Sequence, residues 1–127
     1  MNKIPFNKPF LTGKEVDYIN DAYANGQLAG DGKYTKLSTD LLQSLMQVKG
    51  CLLTHSCTAA LEMAAILLDI KIGDEVIMPS YTFVSTANAF VMRGAKPVFV
   101  DICPITLNID PEKIVEAITK KTKAIVV

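Results

Sequence analysis

Short apolar runs alternate with helix-patterned segments through the second half of the chain, and this alternation limits the possible folds more than any other feature. The apolar runs are Cys51-Leu-Leu-Thr54, Glu75-Val-Ile-Met78, Pro97-Val-Phe-Val100 and Ala124-Ile-Val-Val127. Pro79 stops the second of them. The pattern between them predicts helices over Thr58 to Leu68, over about Thr82 to Arg93, and from Pro111 to about Lys121. Gly94 ends the second helix, and Asp110-Pro111-Glu112 opens the third with an N-cap, a first-turn proline and an early acid. Strands that are apolar throughout, separated by helices, predict an α/β fold with a parallel sheet covered on both faces.

The first third follows a different pattern. Thr12-Gly-Lys-Glu15 has the spacing of a capping box, and Val16, Ile19 and Tyr23 follow at helical spacing as far as Gly26. A glycine-bearing loop, Gly26 to Lys33, contains Gly30-Asp31-Gly32. Leu37, Leu41, Leu42, Leu45 and Met46 then predict a second amphipathic helix that ends before Gly50. The expected division is a helical segment and loop over 1–50, followed by the first part of a larger α/β domain over 51–127. The chain stops inside an apolar strand with no turn or cap, so the expectation is the N-terminal piece of a longer protein.

With 127 residues the chain is long enough for one domain, and its 50% hydrophobic and 20% charged content excludes a disordered tail. Thirteen basic residues balance thirteen acidic ones without a basic run, which excludes nonspecific nucleic-acid binding. The uncharged stretch Cys51 to Ala60 is too short and polar to span a bilayer. The N-terminal residues, from Met1 to Phe10, lack the apolar core of a signal peptide, so a cytoplasmic location is expected. Cys51, Cys57, Cys103 and His55 lack the paired spacing of a zinc site, and the three thiols are expected to be buried and reduced.

Two turns could carry chemistry. Thr54 to Ala60 runs from a strand end into a helix start, with small and hydroxyl residues and no acid in the first turn. Such a turn can hold a phosphate against the positive end of the helix; alternatively, Ser56 or Thr58 merely caps it. Neither GxxxxGK[ST] nor GxGxxG is present. The second turn, Pro79 to Asn88, would share the carboxyl edge of the sheet, where ligands bind in such folds. Its aromatic residues suit a flat phosphorylated ligand; alternatively, Tyr81 and Phe83 are packing residues. Asp101 reads as a loop cap, His55 as a residue packed at a strand end, and Cys57 as a thiol whose small size suits the first turn.

Six segments occur in order along the chain: Ile4-Pro-Phe-Asn-Lys-Pro9, Gly30-Asp-Gly32, Leu53 to Ala65, Gly73 to Ala89, Gly94 to Asp101 and Thr106 to Asp110. Together they resemble the nucleotide-sugar aminotransferases of the DegT–StrS type. The resemblance implies the N-terminal part of an aspartate aminotransferase-like (fold type I) transferase that uses pyridoxal 5′-phosphate. It implies that Ser56, Cys57 and Thr58 hold the cofactor phosphate, that Phe83 stacks on the pyridine ring, and that Asn7, Lys8, Gly30, Asp31 and Gly32 meet the substrate. The Schiff-base lysine and the aspartate facing the pyridine nitrogen would lie beyond Val127, so the 127 residues alone are expected to be inactive. Within the family the segments are most similar to those of enzymes making dTDP-4-amino-4,6-dideoxygalactose. That similarity implies a dTDP-linked 4-keto-6-deoxy sugar as substrate, glutamate as amino donor and a homodimer. The alternatives are a sugar dehydratase or lyase of the same fold, or a noncatalytic phosphate-binding α/β module.

Overall fold

The computed structural model describes residues 3–127; Met1 and Asn2, the first residues of the segment read for a signal peptide, lie outside it. The elements are α1 (Glu15–Ala24), α2 (Lys33–Met46), α3 (Cys57–Leu67), β1 (Glu75–Pro79), α4 (Val84–Val91), β2 (Lys96–Val100), α5 (Pro111–Ala117) and β3 (Thr122–Ile125). They fall into two compact units, one up to Leu53 and one from Thr54 to Val127.

In the first unit the capping box is only half formed. The Glu15 carboxylate accepts the Thr12 N–H at 2.6 Å and the Thr12 hydroxyl at 2.9 Å. The Thr12 hydroxyl accepts the Lys14 N–H at 3.4 Å rather than the Glu15 N–H that a complete box would give it, and the helix starts two residues later with Lys14 as N-cap. The link between α1 and α2 is polar. Asp21 Oδ2 accepts Lys33 Nζ at 2.8 Å, the Tyr34 hydroxyl at 2.8 Å and Asn25 Nδ2 at 3.0 Å. The Lys33 ammonium, then the Tyr34 hydroxyl, holds the Asp21 carboxyl below the usual aspartate range. The Tyr18 and Tyr34 rings pack beside this cluster, tilted by 56° with centroids 5.2 Å apart.

In the second unit three parallel strands run in the order β2-β1-β3. The sheet departs from the expected four strands, because Cys51 to Thr54 is not a strand. An apolar run becomes a strand only where another strand pairs with it, and both neighbours of β1 are already β2 and β3. Helix α5 ends at Ala117 rather than near Lys121, where Ile118 turns into extended backbone. The Thr119 hydroxyl then donates to Glu75 at 2.6 Å, bringing the chain to the start of β1, and β3 begins at Thr122 rather than Ala124. Helix α4 likewise begins at Val84, later than Thr82.

The core is centred on β1. Val76 and Met78 face Ala65, Ile70, Ala89, Phe90 and Ala95, while Ile77, on the opposite face, is buried as well. Coverage of both faces therefore holds at β1 but not along β2, where Phe99 is exposed. Pro97 is accommodated because β2 is an edge strand. The loop after α3 is tied to the loop after α4: Gly73 N–H donates to Gly94 C=O at 3.3 Å, and Lys96 N–H to Asp74 C=O at 2.8 Å. The two helices thus end together at the amino edge of the sheet, run in the same direction and pack against each other. Their N-termini consequently lie at the carboxyl edge.

Candidate functional site: an anion cradle and an aromatic platform

Helix α3 opens with Ser56 as N-cap in extended conformation, and its Oγ accepts the Ala59 N–H at 3.1 Å. The Ser56 carbonyl accepts the Ala60 N–H at 3.2 Å and the Thr54 hydroxyl at 2.8 Å, which holds the turn from the other side. Of the four N–H groups that a helix start leaves without a helical partner, that of Ala59 is thereby satisfied. Among the described residues the N–H groups of Cys57 and Thr58, the first two of the helix, have no acceptor. The first turn carries no acid. Ser56 therefore is a cap, as one of the two readings held. Its oxygen is used as an acceptor, which leaves its O–H as a donor beside the two N–H groups. Cys57 is exposed and Thr58 half-buried.

Phe83 is the N-cap of α4, and its side chain makes no capping bond. Serine, threonine, aspartate and asparagine are the residues that stabilise this position, and a phenylalanine forgoes about 1 kcal/mol there. Phe83 is 75% exposed and Tyr81 70% exposed, so neither packs into the core of this part of the protein. Departures from local rules are expected at functional or strained positions, with compensation elsewhere. In place of a cap, the Thr82 hydroxyl donates to Thr86 Oγ1 at 3.0 Å, and the Thr86 N–H donates to the Phe83 carbonyl at 3.0 Å. Neither threonine stood out in the sequence; their signal is two hydroxyls four residues apart astride a helix start.

Other candidates are placed differently from expectation. His55 is exposed rather than packed, because no strand ends there. None of the three free thiols is buried: Cys51 and Cys103 are half-buried and Cys57 is exposed. The backbone N–H groups of Thr106 and Ile105 hold the Cys103 thiol below the usual cysteine range. Asp101 does cap its loop, with Oδ1 accepting the Ile102 N–H at 2.9 Å. Among the described residues no cluster of His, Cys, Asp or Glu could hold a metal ion, and no helix is long and apolar enough to cross a membrane.

The expected substrate residues belong to the first unit. Asn7 and Lys8 are exposed on a segment without regular structure. Gly32 is the N-cap of α2, and Asp31 adopts a positive φ of 67°. Asp31 lines a groove of about 390 Å³ together with Thr35, Lys36, Thr39, Asp40 and Cys51.

The signature of the DegT/DnrJ/EryC1/StrS aminotransferase family matches residues 9–127. The chain belongs to that family. It is 37% identical over 122 residues to the GDP-perosamine synthase of Vibrio cholerae, covering 96% of this chain and 33% of that protein. Among solved structures it is similar to the PLP-form of the putative sugar aminotransferase Spr1654 from Streptococcus pneumoniae. The TM-score there is 0.83 at 34% identity, covering 98% of this chain and 31% of the other. It is also similar to the Escherichia coli GDP-4-keto-6-deoxy-D-mannose-3-dehydratase with bound hydrated PLP, with a TM-score of 0.87 at 27% identity over 98% of this chain and 33% of that one. The chain thus spans about a third of the length of these relatives. Its α/β architecture, with a parallel sheet flanked by helices, is that of PLP-dependent sugar aminotransferases.

Proposed function

We propose that the whole protein is a pyridoxal-phosphate-dependent aminotransferase that places an amino group on the 4-keto carbon of a nucleotide-linked 6-deoxy sugar, with glutamate as donor. The observation that carries this reading is the pairing, at one edge of the sheet, of a helix start with two unused N–H groups and a helix start given over to an exposed phenylalanine. Bound pyridoxal phosphate supplies the electron sink for amino-group transfer. The N–H groups of Cys57 and Thr58, with the hydroxyls of Thr58 and Ser56, bind its phosphate. Phe83 offers a π-face to its ring and excludes water from that side. Asn7, Lys8 and the Gly30-Asp31-Gly32 turn are the residues we assign to the sugar nucleotide. The similarity of the motifs favours dTDP as the nucleotide and a homodimer in the cytoplasm as the working state.

The E. coli dehydratase supports a second reading on the same fold, removal of a sugar hydroxyl. One experiment separates the two. The whole protein, loaded with pyridoxal phosphate, is given 15N-glutamate and a 4-keto-6-deoxy sugar linked to dTDP or GDP, and the product is weighed. A product carrying 15N establishes transamination and shows which nucleotide is accepted. Loss of water without 15N establishes the dehydratase. A protein that leaves the cofactor absorbance unchanged on titration overturns both.

A further inference from the structure

Phe83 presents its ring from a helix start that lacks its usual cap, so something else must hold its backbone. The only bonds that do so among the described residues come from Thr86, which is buried to 9% exposure in a turn whose other residues, Tyr81 to Val84, are exposed. Thr86 accepts the Thr82 hydroxyl and donates its N–H to the Phe83 carbonyl, each at 3.0 Å. The residues before and after the aromatic are thereby joined across it. The contact replaces the N-cap bond with a bridge between the residue preceding the cap and the third residue of the helix, and it leaves the aromatic side chain free. Being β-branched, Thr86 has about two side-chain rotamers open to it within a helix, and the bond from Thr82 holds its oxygen in one of them.

We infer that Thr86 is a positioning residue for the aromatic platform: through Thr82 it sets the turn that aims the Phe83 ring at the cofactor. This rests on the reading of Phe83 as the stacking residue. Thr86 itself touches neither phosphate nor ring.

The test is a double-mutant cycle in the whole protein, with pyridoxal 5′-phosphate as probe. Two quantities are read: the cofactor dissociation constant and the induced circular dichroism of the bound cofactor, which reports ring orientation. Thr86→Val keeps volume and branching but removes the acceptor, and it should raise the dissociation constant about three- to ten-fold and reduce the dichroism. Thr86→Ser restores the oxygen and should return both quantities to within about twofold of the parent. In a Phe83→Ala background, Thr86→Val should have no further effect. If Thr86→Val leaves both quantities unchanged while Phe83→Ala weakens binding, the inference is wrong and the stacking role stands. If the Thr86→Val loss persists in full without the Phe83 ring, the inference is again wrong, because Thr86 then acts by another route. If Phe83→Ala binds the cofactor as tightly as the parent, the stacking role itself fails and the inference falls with it.

Discussion

Gly94 lies so close to Ile72 that a Cβ built on it would meet the Ile72 side chain at 2.5 Å and its Cα at 3.1 Å. The same glycine has a φ of +92° and accepts the Gly73 N–H. Both the left-handed conformation and the close approach require glycine. Gly94→Ala should therefore destabilise the protein by about 1–3 kcal/mol, because the nearer contact is a side chain that can shift and the farther is backbone that cannot. Denaturant unfolding checks this; an unchanged midpoint would mean that the two loops do not meet as described.

Ser56 separates capping from cofactor binding. Aspartate caps a helix as well as serine does, so Ser56→Asp should leave stability within about 0.5 kcal/mol, whereas Ser56→Ala should lose about 1 kcal/mol. Cofactor affinity should respond the other way, with Ser56→Asp the weaker because it sets a carboxylate against the phosphate. Thr58→Ala should lose a charge-assisted bond, on the order of 1.5–3 kcal/mol of cofactor affinity. Equal cofactor affinity in Ser56→Asp and the parent would rule out the cradle.

Phe83 should show a conflict between stability and function. Since the ring is exposed, Phe83→Ala should leave no cavity and little loss of stability. Phe83→Asp installs the missing cap and should raise stability by about 1 kcal/mol while weakening cofactor binding. Phe83→Tyr and Phe83→Trp keep a flat face and should keep most of the affinity, of which stacking contributes about 0.5–1.5 kcal/mol beyond area burial. Melting temperature and cofactor dissociation, measured together on these variants, are the check.

Glu15 should titrate far below an ordinary glutamate. The Thr12 backbone N–H, foremost among its donors, lowers its pKa from 4.5 to about 2. A carboxylate held this way stabilises the start of α1 above its unfolded pKa. That support is lost as pH falls from 4.5 toward 2. NMR titration of the Glu15 carboxyl, with Glu15→Gln as control, should show a midpoint near 2 and fraying of α1 below it; a midpoint near 4.5 would remove the bond to Thr12.

Features written in local pattern were legible in the chain. The helix over α3, the strands at Glu75 and near Pro97, and the Asp110 cap, whose carboxylate accepts the Glu112 N–H at 3.0 Å, stand where residue order puts them. Features that depend on a distant partner were not. Cys51 to Thr54 is apolar enough for a strand, but apolarity says nothing of whether a neighbour is present to pair with it. The Asp21 cluster joins residues up to 13 positions apart, beyond any helical or strand period. At the candidate site the residue types were readable and their division of labour was not. A serine before a helix reads equally as cap or phosphate donor, and only geometry shows its oxygen used as an acceptor with its proton still to spare.

The common direction of α3 and α4 has an electrical consequence. Each helix carries roughly half a positive charge at its start and half a negative one at its end, so two helices that run together add their fields where an opposed pair would cancel. The layer is polarised across its thickness, with its positive side along the carboxyl edge and its negative side where the helices end. On that negative side Lys71, Arg93 and Lys123 stand near enough to Asp69 to draw its pKa down. The positive field along the carboxyl edge is therefore a property of chain direction, set before any hydroxyl is placed there, and it survives the removal of each hydroxyl in turn.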